Sequence, residues 1–119
     1  MICPEELPGG EEGPLAYLEG NCVVFEKDGK RYRLCAKSLA ELARAAYHFA
    51  LKLTRGEVGC VEPEKGAEPF SGRGKWSEER GFAEAVEFMV LSKSPSFAKL
   101  YGRVTKVEFD PSTGSVWTT

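Results

Sequence analysis

The sequence predicts an α+β fold: an antiparallel sheet built from two hairpins, with two main helices and a short third helix packed on one face. Three observations predict it. An Asp-Gly turn separates two alternating runs near the start, a turn bearing Pro and Gly separates two more at the end, and helical segments with start signals lie between. Strands grouped at the ends with helices between them argue α+β rather than an alternating parallel fold. An isolated hairpin is only marginally stable, so the two hairpins must share one sheet to bury their apolar faces.

Residues 1–13 are rich in Pro, Gly and Glu and read as an irregular acidic N-terminal arm; residues 14–119 read as a single domain with a long loop at 56–76. Leu15-Ala16-Tyr17-Leu18 reads as a short strand ending at Gly20-Asn21. The first hairpin follows. Asp28-Gly29 suits a two-residue type I′ turn, whose central residues both need positive φ. That turn sets Phe25 opposite Tyr32, Val23 opposite Leu34 and Cys22 opposite Cys35. Val23, Phe25, Tyr32 and Leu34 form one face, read as the core side. Cys22, Val24, Glu26, Arg31, Arg33 and Cys35 form the other, with Glu26 opposite Arg31 as a favourable pair.

Ser38-Leu39-Ala40-Glu41 is a capping box that opens the first helix. Leu39, Leu42, Ala43, Ala46, Phe49, Ala50 and Leu53 follow helical spacing, and Gly56 stops it. Val58 to Val61 reads as a short edge strand at the start of the long loop. Ser77 caps a second helix reaching about Ser92, with a stripe of Phe82, Ala85, Val86 and Met89. Ser94-Pro95 restarts a short third helix ending at Gly102, with Pro at its first position. Val104 to Phe109 and Val116 to Thr118 form the closing hairpin around Asp110–Gly114.

The cysteines make a covalent expectation. Cys22 and Cys35 fall on a non-hydrogen-bonded pair, where Cα atoms approach to roughly 4.5 Å and a disulfide can close. Cys3 and Cys60 are then the remaining pair, with four buried free thiols as the alternative. The spacings contain no short Cys knuckle and His48 is the single histidine, so no metal site is expected. The chain has no Gln, one Asn and sixteen Glu, a thermophile pattern. The first residues carry neither a basic flank nor an apolar stretch, so no signal peptide is read there. No apolar run reaches the roughly 18 residues of a membrane helix. The expectation is a cytoplasmic hyperthermophile protein without membrane contact, a class in which intracellular disulfides occur.

Charge is uneven. Residues 1–26 carry six Glu and no Lys or Arg, whereas 27–55 carry eight basic residues against Asp28 and Glu41. The segment Phe70-Ser71-Gly72-Arg73-Gly74-Lys75-Trp76 combines glycines for close backbone approach, cations and two aromatics. It is not a P-loop, because Pro69 stands where the first Gly belongs and Trp76 where Ser or Thr belongs. A plain connector is the alternative. Lys99, Tyr101, Arg103, Lys106 and Trp117 form a further basic-aromatic group.

These features point to a noncatalytic binding module with single-stranded DNA or RNA as ligand. Arg31, Arg33, Arg73 and Lys75 would contact phosphates, with Phe70 and Trp76 stacking on bases. The acidic pI near 5.5 counts against it. The alternative is a protein–protein or self-assembly module, a dimer in which the acidic 1–26 segment meets the basic 27–55 segment of a neighbour. A small enzyme using Glu and His48 ranks last, because both Asp are in turns and no cofactor fingerprint is present.

Overall fold

The computed structural model describes residues 1–63 and 81–119. Asp28 and Gly29 take φ of 52° and 77°, as a type I′ turn requires. The turn joins β3 (Cys22–Lys27) to β4 (Lys30–Cys35) in the expected register, from Lys27 opposite Lys30 to Cys22 opposite Cys35. The strand β2 (Leu15–Glu19) pairs with β3 on one side and, on the other, with β5 (Lys106–Asp110). Through β2 the closing hairpin of β5 and β6 (Ser115–Thr118) joins the first one. The result is one antiparallel six-stranded sheet in the order β1-β4-β3-β2-β5-β6.

The strand β1 (Glu5–Leu7) departs from the expected irregular arm. It pairs with β4, Glu5 opposite Arg33 and Leu7 opposite Arg31. Residues 8–14 then pass around the tip of the β3–β4 hairpin to reach β2. There the Asp28 and Gly29 amides donate to the Glu12 and Glu11 carbonyls at 2.9 and 3.0 Å. The passage is tight: a Cβ on Gly10 would lie 2.5 Å from the Lys30 backbone, and one on Gly13 would lie 2.0 Å from the Glu26 carbonyl oxygen. Partner strands, not local propensity, make β1 a strand.

The helix α1 (Leu39–Thr54) starts where the capping box places it, with the Glu41 amide donating to Ser38 Oγ at 3.1 Å. It ends at Gly56, φ 78°, with Glu57 N–H donating to the Lys52 carbonyl and Gly56 N–H to Leu53. Lys27 adds its ammonium to the Leu53 carbonyl at 2.9 Å, joining the hairpin to the helix C-terminus. The helix α2 spans Gly81–Leu91, and nine of its eleven residues are buried, so the expected single stripe understates its burial. Its expected start at Ser77 lies outside the described residues. A short α3 (Pro95–Tyr101) ends at Gly102 as expected.

Both α1 and α2 lie on the face of Val23, Phe25, Tyr32 and Leu34. Phe25 is the hub of this layer, 4.8 Å from the Phe49 ring of α1 and 6.4 Å from the Phe82 ring of α2. Phe82 in turn meets Phe109 of β5 at 5.9 Å. An ion pair crosses between the helices: Arg44 Nη1 to Glu87 Oε2, 2.9 Å, with Glu87 buried. Burial pushes the Glu87 carboxyl above its ordinary value, against the pull of Arg44.

Both expected disulfides are closed. Cys22–Cys35 has a Cα separation of 4.2 Å, as its non-hydrogen-bonded pair implies. Cys3–Cys60 has a Cα separation of 4.0 Å. Beside it, Val61 forms an isolated antiparallel bridge with Ile2, in place of the strand expected over 58–61. The remaining loop residues, 64–76, lie outside the described residues.

This packing has measurable consequences. Alkylation of native protein without reductant should modify no thiol, whereas four modified cysteines would refute both bridges. Opening Cys22–Cys35 by paired Ser substitutions should cost about 3 kcal/mol in denaturant unfolding, and opening Cys3–Cys60 about 4 kcal/mol. Arg44→Met strands a buried carboxylate and should cost about 3 kcal/mol near neutral pH. The folded state raises the Glu87 proton affinity, so that group's contribution is full below its unfolded value and declines as pH rises through the folded one. The Arg44→Met deficit should therefore shrink on moving from about pH 7 to about pH 4, where Glu87 becomes neutral. An unchanged deficit would refute the coupling.

Candidate binding face

Strand alternation puts Glu5 and Leu7 of β1, Arg31 and Arg33 of β4, Val24 and Glu26 of β3, Tyr17 and Glu19 of β2, Glu108 of β5 and Trp117 of β6 on one face. It is the face opposite the helices, and no described helix packs on it.

Arg33 lies on this face beside the edge strand β1. Its Nη2 lies 2.9 Å from Glu5 Oε2 and its Nη1 lies 3.3 Å from Glu19 Oε1. One guanidinium thus links β1, β4 and β2, and those carboxylates raise its already high proton affinity. Val24, between Arg33 and Tyr17 in the register, is fully buried although it faces away from the helices. Long side chains flanking a central strand can shield a short apolar one.

A second polar centre lies nearer the hairpin tip. Glu26, also on this face, is only 5% exposed. Its Oε1 accepts from the Glu11 amide at 2.9 Å, and its Oε2 lies 3.6 Å from Arg31 Nε, the partner expected from the register. Burial, then a hydrogen bond to Glu26, push the Tyr17 phenol above its ordinary value. Farther along, Lys106 Nζ lies 3.0 Å from Glu108 Oε1. Trp117, opposite Glu108, is 56% exposed.

A concavity of about 1270 Å³ opens where the β1 edge meets the start of α1. Its two arginines, Arg33 and Arg44, already hold carboxylates. His48 packs edge-on against Tyr47 at 5.4 Å. Asp110 accepts from the Ser112 hydroxyl and amide, which hold its carboxyl below the ordinary value in the β5–β6 turn.

No family model, curated protein or solved structure matches the chain. Function therefore rests on this geometry. Of the residues singled out from sequence, Arg31 and Arg33 lie together on the open face, while Phe70, Arg73, Lys75 and Trp76 lie outside the described residues. Lys106 and Trp117, grouped from sequence with Lys99, Tyr101 and Arg103, share the open face with the arginines. Sequence reading missed Glu5 and Glu19 as partners of Arg33. They stand 28 and 14 residues away, and only the strand order brings them together.

Proposed function

We propose that the chain is a binding module whose open sheet face takes a protein surface of mixed charge. The observation that carries this reading is the pairing of the face's own charges: Arg33 with Glu5 and Glu19, Arg31 with Glu26, and Lys106 with Glu108. Nucleic acid draws most of its affinity from unneutralised cations that displace counterions from phosphates. Here each of those cations has a carboxylate within reach, and carboxylates would face any bound backbone. Single-stranded DNA or RNA thus becomes the weaker reading of the same residues. A protein surface tolerates alternating charge and gains from an exposed aromatic such as Trp117.

The setting we infer is the cytoplasm of a hyperthermophile. Two closed disulfides, no Gln and a Glu-rich composition support it. No described helix is long and apolar enough to cross a membrane.

Fluorescence anisotropy with single-stranded DNA and RNA at low and high salt tests the main reading. The intact, oxidised chain should not bind at low salt, and Glu5→Gln with Glu19→Gln should gain weak, salt-sensitive binding as Arg33 is released. Tight, salt-sensitive binding by the unaltered chain that Trp76→Ala weakens would overturn it. Thermal unfolding without reductant should give a midpoint above about 90 °C; a midpoint in the ordinary mesophilic range would refute the setting.

A further inference from the structure

The two ends of the sheet are treated differently. At one end β1 is three residues long, carries Glu5 and Glu6, and is flanked by Pro4 and Pro8. Short length, charge and proline are the usual protections of an edge against further pairing. At the other end, the Ser-Val-Trp-Thr run of β6 has neither charge nor proline. Its exposed Trp117 stands on the open face.

The hydrogen bonds of β6 define what its outer side offers. Thr119 and Lys106 exchange amide-to-carbonyl bonds at 2.9 and 3.3 Å. In an antiparallel ladder such pairs alternate. Trp117 and Ser115 therefore turn their backbone groups toward β5, and Val116 and Thr118 turn theirs outward. Among the described residues, no other segment bonds to those outward groups.

We propose that this edge pairs with the β6 edge of a second copy, antiparallel about a twofold axis through Trp117. The inference goes beyond the docking reading above, because the second copy joins the edge of the sheet and leaves the open face free. In this register Val116 of each copy exchanges two backbone bonds with Thr118 of the other, so every outward donor meets an outward acceptor. Shifting by two residues in either direction leaves a single paired position within the strand. Only the centred register places the two Trp117 rings directly across from each other. They meet at a non-hydrogen-bonded pair, where cross-strand side chains approach most closely and aromatic pairs add stabilisation.

Charge does not oppose a second copy. The twofold axis brings no like charges together on β6, whereas self-pairing of β1 would oppose Glu5 and Glu6 to one another. The axis stands perpendicular to the sheet, so both open faces lie on the same side of a continuous twelve-stranded sheet. Four strand residues per copy bury well under the roughly 1,000 Å² of long-lived complexes. The pair is therefore a weak one, formed at high protein concentration.

Sedimentation of the oxidised full chain from micromolar to near-millimolar concentration tests the proposal. The expected result is a rise toward twice the chain mass. Thr118→Pro removes two of the four intermolecular bonds while sparing the ladder to β5, and Trp117→Lys opposes two cations across the axis. Each should weaken dimerisation by at least about tenfold, with an unchanged circular-dichroism spectrum. Trp117→Cys reads the register directly. Mild oxidation by a disulfide reagent should give a covalent dimer, and Ser115→Cys should not, since that position does not meet its own copy. A chain that stays monomeric throughout, or a dimer indifferent to both Thr118→Pro and Trp117→Lys, would overturn the edge pairing. A monomer that also ignores oligonucleotides would sink the dimer alone. Salt-sensitive oligonucleotide binding would sink the docking reading, whatever the mass.

Discussion

Positive φ at Asp28 and Gly29 sets the register on which the other layers depend. Side chains alternate across a strand, so a slip of one residue would exchange the two faces of the hairpin. With the observed register, Phe25 and Tyr32 meet Phe49, and Phe25 meets Phe82. The same register turns Arg31, Arg33 and the Cys22–Cys35 bridge to the opposite side. The core and the candidate binding face are thus two consequences of one turn. The β1–β2 connection adds a further hold, since its carbonyls accept the amides of those same two turn residues.

The β3 strand is buried on both sides, which sets it apart from a half-exposed hairpin strand. Val23 and Phe25 enter the aromatic layer beneath the helices, while Val24 and Glu26 are covered on the open side by polar neighbours. That covering is electrostatic in construction. Arg33 reaches two carboxylates on different strands, and Glu26 collects a backbone amide and Arg31. Exposed ion pairs contribute little to stability individually. Their effect here is to hold long side chains flat across the sheet, leaving a face of alternating sign.

What could be read from the sequence divides by range. The Asp-Gly hairpin, the Ser38 cap, the Gly56 and Gly102 helix ends, the Asp110 turn and the pair Glu26–Arg31 all rest on residues close together in the chain or tied by one tight turn. Their chemistry is local, so a short stretch of sequence specifies each of them. The Cys22–Cys35 bridge followed from register for the same reason. The strand β1 has no local signal, because Pro, Gly and Glu disfavour a strand and only the waiting edge of β4 makes it one. The partners of Arg33 were equally hidden. Alternation alone placed Arg33 on an outer face, but whether that face was bare cation or a closed network depended on which strands became its neighbours.

The passage of residues 8–14 around the hairpin tip also orders events in time. As the chain leaves the ribosome, the residues of β1 appear before those of β4. Their hydrogen-bonding partners belong to β4, and the amides that hold the connection belong to the Asp28-Gly29 turn, all made later. Strand β1 has its hydrogen-bonding edge only once the hairpin has closed. The β1 segment therefore completes the sheet only after the hairpin that follows it in the chain.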